Sequence, residues 1–269
     1  MPFLRHIYFW LVLAPLLANG CNTAPRRNNQ ITTLPVPQSV KLSQFAQRVY
    51  NAPDGYAMRF ALYAPPDAAQ KKLPVVLWLH GAGSRGEDFG PLLNDGDQHG
   101  LGYLARPDIQ AKYPAIIVAP QLSLKTGWAR RGGAGSPELG AAWAILDNTR
   151  QEYQADATRL YVMGVSMGGF GAWAMLMQHP AAFAAAVPIC GGGDTANASL
   201  IKDIPVWAFH GDQDDTVGVE YSRNMIAALK QAGGQPKYTE FKGVGHNSWE
   251  PAFKEPELLN WLHGQKRAR

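Results

Sequence analysis

Ser166 stands in Gly164-Val165-Ser166-Met167-Gly168, directly after the apolar run 160–165 and before a stretch of helical composition, 172–178. A hydroxyl is a weak nucleophile at neutral pH; it needs an adjacent base, and the base needs an orienting acid. The pattern G-x-S-x-G describes a strained strand-to-helix turn that lifts a serine oxygen above a sheet, with glycines where side-chain bulk has no room. The bland alternative is a glycine-rich turn with an incidental serine. Seven histidines compete for the base. His6 falls in an N-terminal apolar segment, His99 and His263 have no motif, and His179 precedes Pro180 at a helix end. His80 and His210 each precede glycine at a strand end, where histidines brace loops. His246 alone follows the last strand, in the glycine-flanked loop Gly243-Val244-Gly245-His246. Three aspartates, Asp212, Asp214 and Asp215, compete for the acid. A developing oxyanion needs two donors. The backbone N–H groups of Met167, at a helix start, and of Ala82, between Gly81 and Gly83, are the candidates.

These residues need a scaffold that brings them to one place. Continuous apolar runs at 74–79, 115–119, 160–165, 184–189 and 204–209, with a last short strand at 237–241, alternate with helical stretches at 138–153, 168–178, 219–231 and 256–263. Residues 56–63 alternate as an exposed early strand does. Apolar strands of this length separated by helices predict a mostly parallel, doubly wound sheet covered on both faces. Ligands in such sheets sit beyond the carboxyl ends of the strands. His80-Gly81-Ala82-Gly83, Pro120-Gln121, Ser166, Cys190-Gly191-Gly192-Gly193-Asp194, His210-Gly211-Asp212-Gln213-Asp214 and His246 all fall there.

Five segments in this order carry a resemblance. Leu79-His80-Gly81-Ala82-Gly83-Ser84-Arg85-Gly86-Glu87-Asp88, Gly164-Val165-Ser166-Met167-Gly168-Gly169, Pro188-Ile189-Cys190-Gly191-Gly192-Gly193, His210-Gly211-Asp212-Gln213-Asp214 and Gly245-His246 resemble the phospholipase/carboxylesterase-type branch of the α/β-hydrolases. The nearest resemblance within it is to the group of predicted peptidases with dienelactone-hydrolase-like relatives, from about residue 56 onward. The resemblance implies an α/β-hydrolase fold and the triad Ser166, Asp214 and His246. Its form His-Gly-x-x-Asp with valine three residues on selects Asp214, through His210, Gly211 and Val217; Gly218 stands where the family often has proline. Asp212 then reads as a turn residue and Asp215 as a solvated neighbour. Dienelactone hydrolases use cysteine at the elbow, but here that position is Ser166, so Cys190 reads as a small buried residue. Trp128 and Trp249 either wall an acyl pocket or pack, with packing the default, and Arg85, Glu87 and Asp88 either contact a polar substrate or are surface charge, with surface charge the default.

The 269 residues, 46% hydrophobic and 17% charged, suit one globular domain at 41–269. A formal charge of +4, scattered and without a basic helix, argues against nucleic acid as a partner. Neither metal-ligand spacing nor a phosphate-binding glycine loop is present, and no cofactor is expected. Residues 1–20 read as a signal segment: Arg5 and His6 precede the apolar run 7–17, which is too short for a comfortable membrane span. The small residues before Cys21 resemble a bacterial lipoprotein signal, which implies a lipidated Cys21 and a membrane anchor. Residues 21–40 would then be a flexible tether. Asn22, in place of the aspartate associated with inner-membrane retention, points to the outer membrane. The expected function is a serine carboxylesterase or thioesterase acting on a small-molecule ester. The rivals are a serine peptidase of the same fold and a non-catalytic envelope binding lipoprotein.

Overall fold

Nine strands form one sheet in the order β1-β2-β3-β5-β4-β6-β7-β8-β9 in the computed structural model, which describes residues 31–34, 44–93, 99–130 and 134–268. In chain order the elements are β1 (Ile31–Leu34), β2 (Ala46–Asn51), β3 (Ala57–Tyr63), β4 (Val75–Leu79), α1 (Gly90–Leu93), α2 (Gly100–Leu104), α3 (Pro107–Lys112), β5 (Ile116–Gln121), α4 (Pro137–Glu152), β6 (Leu160–Val165), α5 (Met167–Gln178), β7 (Ala185–Ile189), β8 (Trp207–Gly211), α6 (Glu220–Gln231), β9 (Lys237–Phe241), α7 (Trp249–Phe253) and α8 (Leu258–Gly264). Short 3₁₀ turns lie at Ala82–Ser84 and Thr195–Ile201.

From β5 to β9 the sheet is parallel; β1, β2 and β3 add an antiparallel edge that joins it through β3 and β5. Successive side chains on a strand point to opposite faces, so a strand buried on both sides is apolar throughout. In β4, Val75, Leu77 and Leu79 pack in one cluster with Leu139, Ile145 and Leu146 of α4, Leu176 of α5 and Leu229 of α6. Val76 and Trp78 point the other way, into a second cluster with Leu93 of α1, Leu101 of α2, Phe253 of α7 and Leu262 of α8. The sheet is therefore wound on both faces. Helix α4 starts where local chemistry dictates: Pro137 occupies its first turn, and the Ser136 hydroxyl accepts from the Leu139 N–H at 3.3 Å.

The tether expected at 21–40 needs a correction. Ile31–Leu34 pairs antiparallel with β2, Ile31 opposite Tyr50 and Leu34 opposite Gln47, so this part of it belongs to the sheet. Its β-branched residues Ile31, Thr32 and Thr33 suit an edge strand. The signal segment, Cys21 and the rest of the tether lie outside the described residues. Among the described residues no helix is long and apolar enough to cross a membrane.

Candidate active site

Ser166 links β6 to α5 with φ 53° and ψ −118°, a left-handed conformation that non-glycine residues rarely take and that costs about 1–3 kcal/mol. Its N–H donates to the Ile189 carbonyl at 2.9 Å, and its carbonyl accepts from Phe170 N–H at 3.1 Å, which fixes the turn on both sides. The flanking glycines are required by close approach. A Cβ on Gly164 would strike the backbone of Gly168, and one on Gly168 would strike the Leu79 carbonyl at the end of β4.

The three residues singled out for nucleophile, base and acid come together. His246 Nε2 lies 2.9 Å from Ser166 Oγ, and His246 Nδ1 lies 2.8 Å from Asp214 Oδ2. The other Asp214 oxygen accepts from the backbone N–H groups of Val217 at 2.8 Å and Thr216 at 3.0 Å. Burial raises the Asp214 pKa, but the Val217 N–H, His246 and the Thr216 N–H outweigh it and hold the carboxyl below its ordinary range. An ionised carboxylate only accepts, so Nδ1 of His246 carries the ring proton. Nε2 is left free to accept from the serine hydroxyl.

The competing aspartates separate by their partners. Asp212 accepts from Gly243 N–H at 2.6 Å and ties the turn after β8 to the loop after β9. Asp215 is exposed, with Thr216 Oγ1 at 3.3 Å. The histidine at the end of β8 does brace its loop. Buried His210 has Nε2 2.8 Å from the Val217 carbonyl and 3.3 Å from Asp214 Oδ2, and Nδ1 2.7 Å from Ser222 Oγ. His80 does the same after β4. Its Nε2 accepts from the Leu122 N–H at 3.0 Å, so Nδ1 bears the proton and donates to the Gly81 carbonyl at 2.6 Å.

Ala82 opens the 3₁₀ turn after β4 and lines a cavity of about 360 Å³ together with Gly81, Gly83, Ser84 and Ser166. Met167 is the first residue of α5, whose N-terminal N–H groups have no partner within the helix. Both oxyanion candidates therefore flank the serine. Trp128 and Trp249 part company. Trp128 is fully buried and packs, its indole N–H donating to the His80 carbonyl at 3.0 Å. Trp249 walls the cavity, edge-on to His246 with ring centroids 5.5 Å apart.

Two features escape sequence reasoning. Arg85 is not free surface charge. Its guanidinium donates to the carbonyls of Ala82 at 3.1 Å, Leu124 at 3.0 Å and Thr126 at 3.5 Å. Cys190 is fully buried at the end of β7, with φ 42°, and its sulfur, a His246 ring nitrogen and an Asp214 oxygen lie within 4.8 Å of one another. Burial pushes its thiol up to about 12, so it stands beside Asp214 and His246 as a neutral group. No spacing rule links residue 190 to 214 and 246. The signal available was only that Cys190 ends a strand at the same edge.

Comparison with known proteins adds lineage to this geometry. The family model of the prolyl oligopeptidase family matches residues 141–208, a stretch that carries Ser166 and stops short of Asp214 and His246. A bifunctional acetylxylan esterase/xylanase of Neocallimastix patriciarum is 26% identical over 194 residues, 72% of this chain and 27% of that protein. Feruloyl esterase B of Neurospora crassa is 25% identical over 211 residues, 73% of this chain and 66% of that one. A thermostable esterase of known crystal structure superposes with a TM-score of 0.79 at 35% identity, over 83% of this chain and 64% of its own. The chain thus spans about a quarter of the first relative and about two thirds of the other two. With its doubly wound, mostly parallel sheet and a strained serine on the β6–α5 turn, the chain is a member of the α/β-hydrolase superfamily.

Proposed function

We propose that this protein is a serine hydrolase of carboxylic esters, with Ser166 as nucleophile, His246 as base and Asp214 as orienting acid. One observation carries the proposal: the unbroken line from Asp214 Oδ2 through the His246 ring to Ser166 Oγ, ending at a cavity of about 360 Å³. As Ser166 Oγ attacks the ester carbonyl carbon, its proton passes to His246 Nε2, and Asp214 stabilises the imidazolium that forms. The carbonyl oxygen becomes an oxyanion beside the N–H groups of Ala82 and Met167. Loss of one such donor typically costs about 3–4 kcal/mol. His246 then gives its proton to the leaving alkoxide, and the alcohol departs. Water, deprotonated by the same nitrogen, releases the acid and restores Ser166. The five motifs resemble the phospholipase/carboxylesterase-type branch, and the esterase names of the relatives support an ester over an amide.

The prolyl oligopeptidase match favours a second reading, a serine peptidase using the same three residues. A fluorophosphonate probe and two substrate sets separate the possibilities. The expected result is labelling of the wild type at Ser166, none in Ser166→Ala, and turnover of p-nitrophenyl esters with little turnover of peptide p-nitroanilides. Faster turnover of anilides would make the protein a peptidase. Turnover of neither set would leave a non-catalytic binding protein.

The same proposal places the enzyme in a bacterial envelope. Residues 1–20 would be removed and the mature chain anchored by acyl groups on Cys21, because stable anchoring takes more than one chain. Residues 22–30 would connect that anchor to the edge strand β1, and Asn22 favours the outer membrane. Wild type is expected in the membrane fraction with a lipid-sized mass increment, and Cys21→Ser in the soluble fraction. Identical soluble behaviour without lipid mass would remove the anchor and leave the esterase untouched.

A further inference from the structure

A second cavity, of about 200 Å³, opens on the same edge of the sheet, lined by Tyr56, Arg59, Gly86, Glu87, Gln121 and Ser123 among others. The topology explains why these residues meet. Gln121 is the carboxyl end of β5, and β3 runs antiparallel to β5, so Arg59, near the start of β3, pairs with Gln121. Tyr56 immediately precedes β3. Residues early in the antiparallel strand thus reach the edge where the parallel strands deliver Ser166.

The two cavities share one loop. Ala82, Gly83 and Ser84 line the cavity of Ser166; Gly86 and Glu87, a few residues on, line this one. Gln121 joins them. Its side-chain amide donates to the Ser84 carbonyl at 3.1 Å, and its oxygen accepts from Phe89 N–H at 3.1 Å. The loop thus runs from the cavity of Ser166 to this one, and a substrate extending along it from Ala82 leads toward the second cavity.

The chemistry of the lining selects the occupant. About seven waters would fill the space at roughly 30 Å³ each, enough for one sugar ring with its hydroxyls. Arg59 offers donors, Glu87 acceptors, and Ser123 both; among the described residues no carboxylate forms an ion pair with Arg59. Tyr56 supplies a ring that is 37% exposed, and burial, with Glu138 and Glu87 nearby, pushes its phenol up to about 12, so it stays neutral. One cation and one carboxylate at the rim discriminate against a strongly charged guest. The scarcity of apolar lining, Val49 and Ala57 apart, discriminates against a fatty one.

From this arrangement we infer that the Tyr56–Arg59–Glu87 cavity is a subsite for a neutral saccharide, holding the alcohol half of an acylated sugar while Ser166 attacks its ester. The inference rests on the esterase reading and extends it to a class of leaving group.

Two measurements test it separately. Turnover of acetylated xylotriose is compared with that of p-nitrophenyl acetate, in wild type, Tyr56→Ala and Arg59→Gln. Both variants are expected to raise KM for the trisaccharide ester about fivefold or more, with kcat near wild type and p-nitrophenyl acetate kinetics unchanged. Equal losses on both esters, or an unchanged trisaccharide KM, would overturn the subsite while wild-type turnover upheld the esterase. Independently of turnover, xylotriose, cellotriose and chitotriose are titrated into Ser166→Ala by calorimetry. Binding of at least one, weakened by Tyr56→Ala, supports the subsite; binding of none overturns it. Failure of wild type on both esters would instead sink the esterase reading, and the titration would still decide the saccharide site.

Discussion

The turns after β6 and after β8 both deliver one catalytic candidate to the same point, and they do so by opposite means. Ser166 is held through its backbone, in a strained turn set by close packing, while its side chain is left free of structural bonds. Its φ is positive, its side chain caps nothing, and the turn exists because Gly168 lets α5 press against the Leu79 carbonyl. Asp214 is held by donors. Val217 N–H, Thr216 N–H and His246 converge on its two oxygens, and buried His210 braces the loop behind it. A nucleophile must stand clear of its neighbours to attack, so shape positions it. An orienting acid never leaves its socket, so hydrogen bonds position it.

The difference can be broken from the strained side first. Gly168→Ala places a methyl group against backbone that has no alternative position. Its Tm is expected to fall by about 10 °C or more, or the protein to fail to accumulate in soluble form. A variant of wild-type stability would show that the β6–α5 turn is not sterically forced. On the hydrogen-bonded side the fold should survive and the rate should not. Asp214→Asn is expected to lower kcat on p-nitrophenyl acetate about 10³–10⁴-fold, because the amide favours the wrong His246 tautomer. Asp212→Asn should stay within about tenfold, since its carboxylate only ties Gly243 into the neighbouring loop. A larger effect at Asp212 would reassign the acid.

These same turns show what the chain discloses before it is folded. Steric demands leave glycines in fixed places, so the Ser166 elbow is legible in five residues. Hydrogen-bond sockets leave no such trace. Asp212, Asp214 and Asp215 look alike in the chain, and only the spacing to Val217 seen in resembling proteins selects among them. The fold divides similarly. β4 to β8 are legible because strands buried on both faces are apolar throughout, whereas β2, half-buried and carrying Gln47 and Arg48, has no such run. Helices α1, α2 and α7, with sequences GPLL, GLGYL and WEPAF, are too short for a 3.6-residue period to emerge. Trp249 begins one of these short helices, which is why its place in the cavity wall could not be read in advance.

The smallest expected effect sharpens the comparison through pH. The Asp214 carboxyl is held below its ordinary value in the folded chain, so its contribution to stability is present above the unfolded pKa of about 3.9 and fades as pH falls through the lower folded value. The Tm gap between wild type and Asp214→Asn at pH 7 should shrink by about 2 °C on acidification to pH 3. The β6–α5 turn has no ionisable group of its own, so the gap between wild type and Gly168→Ala, where that variant folds, should not change. A gap at Asp214 that widens in acid would reverse the sign of this account.

Arg85 gives the proposed oxyanion loop a different kind of importance. One planar guanidinium spans three carbonyls, on Ala82 and on the facing segment at Leu124 and Thr126, a reach that the single ammonium of lysine does not reproduce. The loop that presents the Ala82 amide is thereby preorganised. In the proposed mechanism its alignment would be settled once, when the chain folds, and every turnover would inherit it without rearranging dipoles as charge develops on the substrate. In such an enzyme, loosening the strap would change how often a bound ester finds its donors waiting, and leave how often an ester binds largely as it was.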